Sequence, residues 1–287
     1  MHRHCPSVRT FWRAFILAMV LALCGTLSAC GASSDSAEPA QYVPIVELEE
    51  DTGERVPAPD SALPPFEEDS GTPDGQQDVA PPPAATAFGS ISGACERLAG
   101  ALGTGDPSLW SNTFEFDNDP FEPADLSPAA QILFDSPNAG GSSLCSEVFS
   151  LELLHACLGA ELYKSETEIH YDGAGAMTDY AVDIADLRIG VSVTRAYKGP
   201  FVNTYTLEDA VELLNKKLAG VNESSQLVAV EDGWSQQILH IWTLHPDWAA
   251  TVAEAWDGLD PGLTADTLVL ITVETASEMV VTNSCSP

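Results

Sequence analysis

The chain has 287 residues, 45% of them apolar, which suffices for one domain of ordinary size with its own core. Its 11 Lys and Arg stand against 43 Asp and Glu, a net charge of −32. Such acidity repels phosphate backbones and anionic lipid head groups unless a local basic patch is hidden, and it favours neutral or cationic partners or a metal ion.

Residues 1–13 carry Arg3, Arg9 and Arg13 and no acid, and residues 14–29 (AFILAMVLALCGTLSA) are apolar and end on small residues. These are the regions of a secretory signal. The apolar run is shorter than the roughly 20 residues of a bilayer span. Leu27-Ser28-Ala29-Cys30 closes it. This tetrad resembles the lipobox of bacterial lipoproteins: Leu, a small residue, Ala or Gly, then Cys. Cys24 is a rival acceptor, but Leu23 is too large for the position before cleavage. The resemblance implies cleavage before Cys30, a diacylglycerol on its thiol and a further acyl chain on its new amine. Each buried CH₂ adds about 0.8 kcal/mol, so several chains anchor stably. The membrane is then the first partner, and the domain faces outward from the inner membrane or sits at an outer one. Gly31 replaces the family's retention Asp and favours the outer membrane. Loss of the three arginines leaves the mature chain near −35.

Residues 30–88 read as the lipidated Cys and an acidic, Pro-rich tether with 13 acids and one base, Arg55. Large apolar side chains are too sparse there to offset the entropy of ordering. From 89 to 287 the composition is globular. Cys95, Cys145, Cys157 and Cys285 remain after the signal and the anchor are set aside. An even count outside the cytosol predicts two disulfides, with three pairings open.

Ile91–Gly103 predicts a short helix and 104–142 a loop-rich stretch with an acidic aromatic segment, which lacks the turn glycine and terminal Glu of a calcium loop. Ser143–Lys164 predicts a helix, with Leu151, Leu154, Leu158 and Leu162 on one face. Thr167–Tyr171 predicts a strand, 172–176 a hairpin turn, and Thr178–Ile184 and Arg188–Arg195 two more strands. Leu207–Leu218 predicts a helix with Thr206 as N-cap and Gly220 past its end. Gln237–His245, Trp248–Trp256 and Thr267–Glu274 predict strand, helix and strand. The order α-β-β-β-α-β-α-β argues one α/β domain with a mixed central sheet.

That order resembles the restriction-endonuclease-like fold of the PD-(D/E)XK nucleases, over roughly 143–245. Thr178-Asp179 lies where the family has Pro-Asp, and Ser192-Val193-Thr194 where it has Asp/Glu-x-Lys. Glu147 or Glu152 lies where the family's helix carries its carboxylate. The resemblance implies Mg²⁺ held between carboxylates, with a lysine, activating water against a phosphodiester. Ser192 and Thr194 cannot take the roles of metal ligand and cation. Asp183, two pleats from Asp179, is the substitute metal ligand, and Lys198 or Arg195 the substitute cation.

Other patterns carry less chemistry. Gly190–Thr194 lacks the second glycine of a nucleophile elbow. His155, His170, His240 and His245 lack zinc-ligand spacing. The tryptophans read as core. The expected function is therefore an envelope binding or interaction role, towards a protein or small ligand, on a degenerate nuclease-like scaffold. The alternative is a metal-dependent phosphodiesterase with a migrated site. From residue 88 on there are 7 bases and 30 acids, which argues against nucleic acid as a partner.

Overall fold

A computed structural model describes residues 84–285 except 94, 118–119 and 138–142. The signal segment, Cys30 and the tether up to residue 83 lie outside the described residues. Eight strands form one sheet: β1 (Ala84–Thr86), β2 (Gly89–Gly93), β3 (Ser108–Phe116), β4 (Glu161–Ser165), β5 (Tyr180–Ile184), β6 (Leu187–Arg195), β7 (Gln236–Thr243) and β8 (Leu268–Thr275). Their spatial order is β1-β2-β3-β8-β7-β6-β5-β4. The central four are parallel, and the outer pairs on both sides add antiparallel strands.

Parallel neighbours need long crossovers, which places helices on both faces. One face carries α1 (Cys95–Ala101), α2 (Pro128–Asp135), α3 (Leu144–Leu158) and α7 (Met279–Thr282). The other carries α4 (Leu207–Leu227), α5 (Pro246–Asp257) and the short α6 (Pro261–Thr264). Alternate residues of the central strands feed the two cores: Ile238, Trp242, Leu268 and Leu270 pack towards α3, and Leu239, Ile241, Val269 and Ile271 towards α4 and α5. The result is a mixed α/β domain of three layers. No described helix is long and apolar enough to cross a membrane.

From α3 onward the chain runs helix, three strands, helix, strand, helix, strand, with α6 added before β8 and with β4 as the first of the three strands. The boundaries differ in instructive ways. The helix predicted to Lys164 ends at Leu158, because Gly159 takes a left-handed conformation (φ 66°) and caps it. Leu162 therefore lies on β4, which is the hairpin partner of β5. Thr167–Tyr171 is not a strand; only Tyr171 makes an isolated bridge, to Val228. The 172–176 segment is part of a long connection and not a tight turn. Residues 91–103 divide into the end of β2 and α1. The stretch read as loop holds β3 and α2, and Phe114 and Phe116 of β3 are buried two residues apart on one face. The first sheet residues, 84–86, fall within what reads as tether. Thr206 does cap α4, in a reciprocal box with Asp209. The helix runs through Gly220 to Leu227, because Val221 and Ser224 are buried beyond it.

Candidate functional site

The site begins with Asp179, which precedes β5. The residue before it is fixed from three sides. Thr178 N–H donates to the Tyr171 hydroxyl at 2.8 Å, and Thr178 Oγ1 meets Ser224 Oγ at 3.0 Å and Gln237 Oε1 at 3.3 Å. Tyr180 pairs with Val191, which brings Asp179 alongside the Ser192–Val193 step. There the Val193 N–H donates to Asp179 Oδ2 at 2.6 Å.

Glu147 comes from the first turn of α3 and is buried. Its end of the helix is tied down by the Cys145–Cys285 disulfide, by Cys145 N–H donating to Asn283 Oδ1 at 2.9 Å, and by the Trp242 indole N–H donating to the Ser146 carbonyl at 3.1 Å. Burial and then the charge of Glu147 push the Asp179 carboxyl up to about 7. The Val193 N–H and the charge of Lys217 act in the opposite sense, and Glu166 adds to the rise. Burial is the first cause and like-charge proximity the second.

Glu147 and Asp179 line a pocket of only about 10 Å³ with Glu166, and two cations act on the pair through their charge from the neighbouring cavity. Arg195, at the end of β6, donates from Nη1 to the Val281 carbonyl at 2.9 Å and interacts with the charge of Glu147. Lys217 reaches in from α4. Both line a cavity of about 620 Å³, together with Ser143, Ser146, Thr194 and Tyr197. Arg195, Lys198, Lys216 and Lys217 are four of the seven bases beyond residue 88, so the scarce positive charge concentrates on one end of β6 and the adjoining α4.

The other residues singled out from sequence do not join the pair. Asp183 lies four residues farther along, roughly 13 Å at the rise of an extended strand, and pairs with Arg188 at 3.1 Å. Glu152 is buried on another side of α3 and accepts the Ser127 N–H at 2.9 Å, closing the start of α2. Lys198 pairs with Asp209 of the α4 cap at 2.6 Å. Of the Ser192–Thr194 segment, Val193 is the residue bonded to Asp179, and Thr194 lines the larger cavity. Sequence reasoning passed over Lys217 and Glu166. The signal for Lys217 was its rarity: one of only 11 cations in the chain, in a doublet on an amphipathic helix.

The cysteines form Cys95–Cys157 and Cys145–Cys285. Among the described residues, His240 and His170 have structural partners. His240 is fully buried, with Nδ1 at 2.7 Å from Ser150 Oγ and Nε2 at 2.8 Å from Thr272 Oγ1, and Ser150 also meets the Tyr180 hydroxyl at 2.6 Å. Burial holds His240 down to about 3. This Ser–His contact is sealed in the core, where no substrate reaches it. His170 and Lys164 bind the buried Asp232 at 3.0 and 2.6 Å. Of the tryptophans, Trp242 and Trp248 are core, and Trp234 lies against Gly190, where a Cβ would come within 2.8 Å of the ring. Among the described residues no three Asp, Glu, His or Cys side chains form a group that could hold a metal ion.

No protein-family model matches the chain. It is similar to the AAC-rich mRNA clone AAC4 protein of Dictyostelium discoideum, with 41% identity over 161 residues, or 54% of this chain. The chain spans about a quarter of that protein's length (24%). Among solved structures it is similar to Pyrococcus furiosus SfsA in complex with Ca²⁺, with 11% identity over 46% of this chain and 55% of that one. The TM-score is 0.25, too low to carry an argument.

Proposed function

We propose that the domain is a divalent-metal-dependent phosphodiester hydrolase of restriction-endonuclease-like fold, with a site that has migrated from the family's motif. One observation carries the reading: Glu147 and Asp179 line one small pocket, and Val193, whose N–H binds Asp179, also lines the neighbouring cavity that holds Arg195 and Lys217. Elsewhere in so acidic a domain, a phosphate-bearing ligand meets repulsion; here it meets cations. The fold assignment is supported by the element order and by Asp179 lying against Ser192 and Val193.

Two adjacent carboxylates fit one Mg²⁺ that keeps several of its waters, though not a fully protein-built cage. When bound, such an ion supplies Lewis acidity and lowers the pKa of a water ligand. Glu147 and Asp179 would hold it, with the Val193 N–H fixing one Asp179 oxygen. Arg195 and Lys217 neutralise the phosphoryl oxygens, the second in place of the lysine that Thr194 cannot supply. Ser192 leaves the ligand set one carboxylate short, which favours a second reading: an envelope module that binds an anionic ligand without turnover.

Hydrolysis of bis(p-nitrophenyl) phosphate with Mg²⁺ or Mn²⁺ separates the two. The hydrolase reading expects turnover that Asp179→Ala abolishes and Glu147→Gln reduces. Equal rates in wild type and Asp179→Ala would exclude this site. Absence of turnover with pyrophosphate binding intact leaves the binding module, and absence of both sinks both.

The lipid anchor is a proposal from the sequence, supported by Leu27-Ser28-Ala29-Cys30 at the end of the apolar run. It places the domain in an oxidising envelope space, where two disulfides persist. Radiolabelled palmitate tests it: a Cys30→Ser precursor that still takes up label refutes the assignment.

A further inference from the structure

Among the described residues, three buried carboxylates lie outside the Glu147–Asp179 pair: Glu152, Asp232 and Glu274. Glu274 closes β8 and is 1% exposed, yet it is not part of the carboxylate pair. Both of its oxygens are spent on the next segment: Oε1 accepts the Val280 N–H at 2.9 Å and Oε2 the Val281 N–H at 3.0 Å. These amides belong to α7, a helix of only four residues that cannot satisfy its own first donors. Val281 passes the constraint on, because its carbonyl accepts Arg195 Nη1 at 2.9 Å. Val281 and Thr282 then form one wall of the cavity that Arg195 and Lys217 line. On its other side Glu274 borders a second cavity of about 450 Å³, which shares Tyr197 and Pro200 with the first. A charged acceptor bound to two amides is stronger than a neutral one, so the α7 backbone is set firmly where Arg195 needs its acceptor.

We propose that Glu274 is a positioning residue for the cation site: through the α7 backbone it sets the carbonyl that orients Arg195 towards the bound anion. The proposal rests on the phosphate-binding reading above. Glu274 touches no ligand itself; it acts through Val281. The Cys145–Cys285 disulfide holds the far end of the same segment, so Glu274 and the disulfide clamp the wall from both sides.

The test is a double-mutant cycle with inorganic pyrophosphate as the probe, read by titration calorimetry on the oxidised protein. Glu274→Gln and Arg195→Ala are each expected to weaken binding about tenfold, as loss of a charged hydrogen bond does. The double variant is expected to bind no more weakly than Arg195→Ala alone, because both changes remove one function. Wild-type affinity in Glu274→Gln, or losses that multiply in the double variant, overturn the proposal. A second readout needs no ligand. The Arg195 side-chain Nε–Hε signal in a nitrogen-15 spectrum is expected to move in Glu274→Gln, and an unmoved signal overturns the proposal whatever the calorimetry gives. If wild type binds no pyrophosphate, the functional reading fails while the Arg195 signal still decides the positioning role. Should Glu274→Gln not fold, Glu274→Asp, which keeps the charge and shortens the reach, is read in the same two ways.

Discussion

The carboxylate of Asp179 accepts the backbone N–H of Val193 at 2.6 Å, so the acid before β5 is bonded to the middle residue of the Ser192–Thr194 step. The bond holds Asp179 beside Glu147, where its ionisation is disfavoured. A carboxyl whose pKa rises on folding, here from 3.8 to about 7, opposes folding increasingly as pH rises through that window. Asp179→Asn keeps the acceptor and removes the charge. It is expected to raise stability at pH 8 by about 1–3 kcal/mol, several degrees in Tm, and to change little at pH 4. Thermal melts at the two pH values check this; equal effects at both would contradict the charge argument.

Glu147→Gln removes the like charge and leaves the burial. The Asp179 carboxyl is expected to titrate lower than about 7 in this variant, though still above 3.8 because burial is the larger cause. Carbon-13 spectra of the Asp179 carboxyl across pH 3 to 9 measure it directly.

A divalent cation must displace the proton that Asp179 holds near neutrality. Mn²⁺ affinity is therefore expected to rise about tenfold between pH 6 and pH 8, a group titrating near 7 being mostly protonated at the first and ionised at the second. Electron paramagnetic resonance titrations give the affinities, and Asp179→Asn is expected to flatten the profile.

Ser150 bridges Tyr180 and His240 in the core under α3. Ser150→Ala strips a partner from two buried groups and is expected to cost about 1–3 kcal/mol, measured by urea unfolding. His240 stays neutral in the fold and gains a proton when unfolded below about 6.5. Its contribution to stability is present above that pH and fades as pH falls towards about 3, the reverse of the Asp179 trend.

The Cys145–Cys285 bridge is expected to contribute about 2–4 kcal/mol. A Cys145→Ser, Cys285→Ser double variant should melt lower and bind pyrophosphate more weakly, because Val281 and Thr282 wall the cavity. Unchanged binding would separate the bridge from the site.

The strands and helices from β5 to β8 were legible because their apolar periods are clean and their caps local, as with Thr206 and Asp209. The errors have physical sources. β3 alternates apolar and polar residues, but its acidic and aromatic content resembles a surface loop. α3 runs into β4 without a break in hydrophobicity, and only Gly159 marks the boundary. The position of Asp179 just before β5 was legible from the strand pattern. Asp183 was misjudged because equal strand parity does not bring two residues within reach when they lie roughly 13 Å apart. Lys217 and Glu274 depended on contacts across the sheet and the chain's far end, which no local pattern encodes.

The two disulfides both end on α3, at Cys145 in its first turn and Cys157 in its last. The covalent rings they close, 95–157 and 145–285, therefore overlap in this one helix. Fraying, the usual motion of helix ends, is suppressed at both termini at once. In the oxidised protein the amides between Val148 and Ala156 can exchange with solvent only when the surrounding layers open together. Glu147 thus sits on a helix pinned covalently near both ends.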